Sequence, residues 1–114
     1  MLQYSILKYA PVTSRSTHMT LGILFHEPTL EHREFRFITN LSRLSQFESE
    51  IDVAMVEKLL QGIKEDVESK RFDKSFDIED YTRFYLNDFC FESIETIEYD
   101  VLGEVIEGIV KTYI

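Results

Sequence analysis

Apolar residues recur at every second position through the first third of this chain and at every third or fourth position beyond residue 50. Strands and helices present a continuous face at those two different periods. The change of period limits the chain to folds in which strands come first and helices later cover the sheet they make. Leu2–Lys8 alternates, with Leu2, Tyr4 and Ile6 on one side and Gln3, Ser5 and Leu7 on the other. It ends at Ala10-Pro11, where proline removes a ladder donor and fixes φ. Met19–His26 is a nearly continuous apolar run, the pattern of a central strand, and Gly22 within it marks a bulge or a close backbone approach. Arg33–Ile38 alternates again, setting Phe35 and Phe37 opposite Glu34, Arg36 and Ile38. Glu27–His32 is short enough for a hairpin loop, so the second and third strands are expected to be antiparallel.

The middle of the chain changes to helix. Thr39 or Asn40 is placed to cap a short turn carrying Leu41, Leu44 and Phe47. Val56, Leu59, Leu60, Ile63 and Val67 then form a 3.6-period stripe, predicting a helix from Asp52 to Ser69. Asp52 at its start and Lys70-Arg71 at its end suit the helix dipole. Ile78–Leu86 predicts a second helix with Ile78, Tyr81 and Tyr85 on one side. After the turn signal Asn87-Asp88, Phe89–Phe91 and Ile94–Ile97 form one interrupted strand. Asp100 is expected to cap a last helix whose buried stripe is Val101, Leu102, Val105, Ile106, Ile109, Val110 and Tyr113. The order β-β-β-α-α-β-α predicts an α+β fold, a mostly antiparallel sheet of about four strands with helices packed on one face. At 114 residues this is one domain, residues 1–114. Nine Phe and six Tyr supply the apolar surface for its core.

Charge is divided unevenly. Met1–Arg43 carries five basic and three acidic residues, a balance of +2, whereas the remainder carries seven basic and eighteen acidic, a balance of −11. Phe76–Val110 holds ten acids and Arg83 as its only Lys or Arg. There Glu92, Glu95, Glu98, Asp100, Glu104 and Glu107 take the positions that the apolar pattern leaves free, so they are expected to face water together. Two readings compete: a solubilising surface, or an acidic ridge for a basic partner. The net charge of −9 speaks against direct nucleic-acid binding. A ridge of carboxylates can, however, imitate phosphates and occupy a nucleic-acid-binding groove.

No motif for chemistry accompanies the charge. His26 and His32 flank the hairpin loop, but a metal needs three or four converging ligands and no H-x-x-x-H or Cys/His pair is present. Cys90, the single cysteine, sits between Phe89 and Phe91 and is expected to be a small buried hydrophobe in a reducing compartment. Its acidic surroundings raise a thiol pKa rather than activate it. Ser14 and Ser16 lack a nucleophile elbow or an S-x-x-K pair. Asp77, Glu79 and Asp80 suit a helix start better than a cation site. The expectation is therefore a protein without enzymatic activity, cofactor or metal. Met1–Tyr9 has none of the features of a secretory signal. No apolar run approaches the roughly 18 residues of a membrane helix, so the cytoplasm is the expected location.

Several short stretches resemble a bacterial family of unknown function, DUF3037. They are Tyr4-Ser-Ile-Leu-Lys-Tyr-Ala-Pro11, Met19-Thr-Leu-Gly-Ile-Leu-Phe-His-Glu-Pro28, Phe35-Arg-Phe-Ile38 with Arg43, and Asn87-Asp-Phe-Cys-Phe91 ahead of Val101–Tyr113. The resemblance implies a non-enzymatic accessory protein, of a kind often encoded beside HipA-type kinases of toxin–antitoxin-like modules. Thr13–Thr17 lacks the glycine and the acid that the family carries in its first loop. Charge and resemblance together lead to one expectation, a module that docks to a protein partner with a basic surface. Asp88, Glu92, Glu95, Glu98, Tyr99, Glu104 and Glu107 would form its contact surface, and Tyr85 or Tyr99 would serve as aromatic anchors. The alternative is an acidic inhibitor that mimics nucleic acid, of phage or mobile-element origin. If Leu2–Lys8 lies at a sheet edge, it allows a homodimer.

Overall fold

The computed structural model describes residues 1–10, 18–42, 44, 52–69, 76–83 and 88–114. The Thr13–Thr17 loop, Arg43, Phe47, Lys70-Arg71 and Tyr85 lie outside the described residues. Strands β1 (Leu2–Tyr9), β2 (Met19–Glu27) and β3 (His32–Phe37) come first. Helices α1 (Val53–Glu68) and α2 (Ile78–Arg83), strands β4 (Phe89–Phe91) and β5 (Glu95–Ile97), and helix α3 (Leu102–Tyr113) follow. The fold is α+β, with a five-stranded antiparallel sheet ordered β3-β2-β1-β4 in which β5 also pairs with β1.

β4 and β5 are the two halves of the interrupted strand, laid end to end along one edge of β1. β4 pairs with Leu7–Tyr9 and β5 with Leu2–Tyr4. Three residues, 92–94, thus face only Ser5 and Ile6, and the extra residue is a bulge. Two hydrogen bonds hold it. The Glu92 N–H donates to the Ile6 carbonyl at 2.7 Å, and the buried Ser5 hydroxyl donates to the Glu92 carbonyl at 2.6 Å. β1 is therefore an inner strand rather than an edge, so the condition under which it would allow a homodimer is not met.

Helices cover both faces of the sheet, not one. Leu7, Tyr9, Met19, Leu21, Leu24 and Phe35 pack with Val56, Leu60 and Val67 of α1 and with Ile78 of α2. Leu2, Ile6, Ile23 and Phe25 pack with Ile106 and Ile109 of α3. β1 and β2 carry large apolar side chains on both sides, so a single layer of helices would leave one set in water. The run on β2 changes face at Gly22. The pairing with β1 slips between Leu7 and Lys8, so that Leu21 is the extra residue. A Cβ at Gly22 would lie 2.7 Å from the Phe35 ring and 2.9 Å from the Arg36 carbonyl oxygen, so only glycine lets β3 close over this point.

Capping follows the sequence for two helices and departs from it for the third. Asp52 Oδ1 accepts from the Met55 N–H at 3.1 Å, and Asp77 Oδ1 accepts from the Glu79 N–H at 2.9 Å. At the other end of α1, Arg33 of β3 donates to the Val67 and Ser69 carbonyls at 2.8 and 2.7 Å. A cation from a distant strand thereby meets the negative end of the dipole. Helix α3 starts one residue later than expected. Val101, not Asp100, is its N-cap and supplies no side-chain bond. Burial of Ile106 and Ile109, about 1.5–3 kcal/mol each, outweighs a missing cap worth about 1 kcal/mol. We expect Gly22→Ala to cost about 2 kcal/mol through overpacking, seen in urea denaturation as a lower midpoint with an unchanged slope.

Candidate functional site

The end of the sheet where β1 and β3 begin and β2 and β5 finish is organised by one carboxylate. Glu27 is wholly buried and caps the 3-10 turn Pro28–Leu30, which closes on Glu31 in the left-handed region at φ 51°. Its Oε1 accepts from the Thr29 hydroxyl and, at 3.0 Å, from the Thr29 N–H. Its Oε2 accepts from the Tyr99 hydroxyl at 2.7 Å and lies 3.2 Å from the Met1 ammonium. Burial alone pushes a carboxyl pKa up. Here the Thr29 and Tyr99 hydroxyls, the Thr29 amide and the ammonium outweigh burial and bring it down to about 2. The bond to Glu27 in turn raises the Tyr99 phenol, because ionising it would leave two anions in contact. Nothing in the sequence marks Glu27 as buried, since its partners come from positions 1, 29 and 99.

Tyr99, expected as an exposed anchor, is half-buried and tied to this carboxylate. The acids expected to share one ridge fall into groups. Glu92 lies 3.6 Å from the Lys8 ammonium. Asp88 is half-buried, and its carbonyl accepts from the Ala10 N–H at 2.8 Å. Glu107 receives both arms of the Arg36 guanidinium, at 2.7 and 3.2 Å, and these bonds hold its pKa below the usual carboxylate range. Arg36 sits on β3, at the opposite side of the sheet from β5, about 14 Å away at ordinary strand spacing. Glu95, Glu98, Asp100 and Glu104 remain. All four are exposed, and none has a salt-bridge partner among the described residues.

These four belong to a single stretch of chain, from β5 through the connecting turn into the first turn of α3. Val101 lies among them with 52% of its surface exposed, because α3 begins after it and the buried stripe therefore omits it. Tyr113, also placed in that stripe by periodicity, is likewise exposed at the other end. Val101, Gly103 and Glu104 line one end of an open groove of about 630 Å³ along the outer side of α3. An exposed apolar residue inside a border of unpaired carboxylates can receive a partner that brings cations around an apolar contact.

The candidates for chemistry do not converge. In the β2–β3 register His26 faces Arg33 and His32 faces Glu27, so the two histidines project from opposite sides of the sheet. His26 stands edge-on to Phe76 with ring centres 4.9 Å apart, whereas His32 Nε2 is 3.0 Å from Glu34 Oε1. Among the described residues, no three His, Cys, Asp or Glu side chains are grouped to hold a metal. Cys90 is a free thiol and only partly buried, because β4 is an outer strand. No helix among the described residues is long and apolar enough to cross a membrane.

A family model described as protein of unknown function (DUF3037) matches residues 4–86. Neither the curated proteins nor the solved structures contain a match. The matched range starts within β1 and ends three residues past α2, so the β5–α3 connection lies beyond it. For Glu27, the folded-state pKa lies below the 4.5 of a free carboxyl, so its contribution is complete above pH 4.5 and fades as pH falls toward 2. Glu27→Gln is expected to lose about 2 kcal/mol at pH 7. In denaturation series at several pH values, its deficit against the wild type should shrink as the solution is acidified through that window.

Proposed function

The chain belongs to the DUF3037 family of proteins of unknown function, and we propose that it is a non-enzymatic docking module whose β5–α3 connection engages a basic surface on a protein partner. One observation carries this reading: Glu95, Glu98, Asp100 and Glu104 are exposed and unpaired around the exposed Val101 within ten residues of chain. Acids kept only for solubility gain by interspersion with bases, yet this stretch contains no Lys or Arg. The carboxylates would steer encounter and set its salt dependence, while the apolar contact at Val101 would slow release. Steering at this surface needs no contribution from Glu107 or Glu92, whose charges Arg36 and Lys8 already meet. A HipA-type kinase, the neighbour suggested by family resemblance, is the first partner to try. A carboxylate-bearing mimic of nucleic acid would use the same residues, but it would be displaced by DNA or RNA.

The test is a photo-crosslinking residue at position 98 in host cells, followed by purification of the captured protein and titration. Glu98→Lys with Glu104→Lys should weaken binding about tenfold and flatten its salt dependence. Glu57→Lys, on the outer side of α1, should leave binding unchanged. Equal affinity for the double variant and the wild type would overturn the proposal. Displacement of the captured protein by duplex DNA would replace it with the mimic reading.

A further inference from the structure

We infer that the partner docks by adding an extended, cation-bearing segment as a further strand along the outer edge of β5; this rests on the docking reading above and specifies how it is done. The direction of the backbone groups carries the inference. In an antiparallel strand, successive residues turn their N–H and C=O to opposite neighbours. On β1, Ile6 accepts from the Glu92 N–H, and Ala10 donates to the Asp88 carbonyl. Even-numbered residues of β1 thus face the β4–β5 side. Leu2 pairs with Ile97 and Tyr4 with Glu95, so these two positions of β5 bond inward and Thr96, opposite Gln3, points its N–H and C=O outward. Among the described residues, no hydrogen bond reaches the Thr96 backbone from that side, and Thr96 is exposed.

The opposite edge of the sheet shows what a covered edge position looks like in this protein. On β3 the outward positions are Arg33, Phe35 and Phe37, of which α1 meets the backbone of Phe35. Its N–H donates to Glu68 Oε2 at 3.2 Å, and its carbonyl accepts from Lys64 Nζ at 3.4 Å, the two side chains being paired to each other at 2.7 Å. One turn of α1 thus satisfies the middle of the strand, where it would otherwise offer a template. Among the described residues, no helix does this at β5.

The occupant is specified by the side chains beside that edge. Glu95 and Ile97 project to the α3 side of the sheet, with Ile97 packed on the core there, and Glu98 follows. A segment carrying a Lys or Arg and an apolar residue two positions apart places the cation beside Glu95 and the apolar side chain beside Ile97. A second copy of this chain does not fit, because it would bring Glu95 and Glu98 to the shared edge a second time with no cation to meet them.

The probe is a blocked heptapeptide alternating Lys and Val, titrated into the full ¹⁵N-labelled chain. We expect the largest amide shifts at residues 95–98 and at least tenfold slower exchange of the Thr96 N–H. A Glu–Val heptapeptide, or the Lys–Val peptide with proline at its centre, should produce neither effect. Thr96→Pro removes the outward donor while leaving the ladder to β1 intact, which an edge position tolerates, and should abolish binding. A Lys–Val peptide N-methylated at alternate residues removes the reciprocal bond, from the peptide N–H to the Thr96 carbonyl, without altering the protein. Unchanged binding in the Thr96→Pro variant or by the N-methylated peptide, or shifts centred on α1, would overturn strand addition. If the crosslinked partner still binds Thr96→Pro but not Glu98→Lys/Glu104→Lys, docking stands and strand addition falls. Insensitivity to both variants removes the docking reading itself.

Discussion

β1 has no free side, and the remaining architecture follows from that constraint. Its two faces carry Leu2, Tyr4 and Ile6 against Ser5, Leu7 and Tyr9, and its two edges carry β2 on one hand and β4 with β5 on the other. A strand with apolar residues on both faces needs cover from two directions, so α1 and α2 take one face and α3 the other. That arrangement sends the chain from α2 across the sheet edge to α3. β4, the bulge at 92–94 and β5 are the crossing. Its exposed acids are therefore a consequence of connecting two layers through one outer strand.

Polar groups inside this framework act as ties between distant parts of the chain. Glu27 joins Met1, Thr29 and Tyr99, and Ser5 joins β1 to the bulge. Arg33 closes α1, and Arg36 reaches Glu107 on α3. A buried carboxylate is costly unless every lone pair finds a donor. Glu27 meets that demand with residues from three separate parts of the chain, so the geometry of this end of the sheet is set by its satisfaction. The same economy separates the acids by role. Glu107 and Glu92 face cations of the chain itself, while Glu95, Glu98, Asp100 and Glu104 are left to the solvent.

Local patterns made most of the elements legible. The strands appeared within two residues of the alternating segments, α1 within one residue of the expected span Asp52–Ser69, and the break between Phe91 and Ile94 where apolar alternation lapses. Gly22 was legible as a bulge or a close approach, and it is both. What could not be read depended on a partner far along the chain. The cap of α3 shifted from Asp100 to Val101, Tyr99 turned inward, and the ridge divided, each because tertiary packing chose the register or the neighbour.

The order of residues alone determined the α+β class, the antiparallel pairing of the second and third strands, and the concentration of acids after residue 76, because periodicity and composition are local properties. Only the tertiary structure decided that β1 is central, that helices lie on both faces, and that α1 meets Phe35 on the β3 edge while Thr96 faces outward. Those outcomes depend on which residues meet across dozens of positions, and burial of apolar surface selects the meeting by area without naming the pairs in advance.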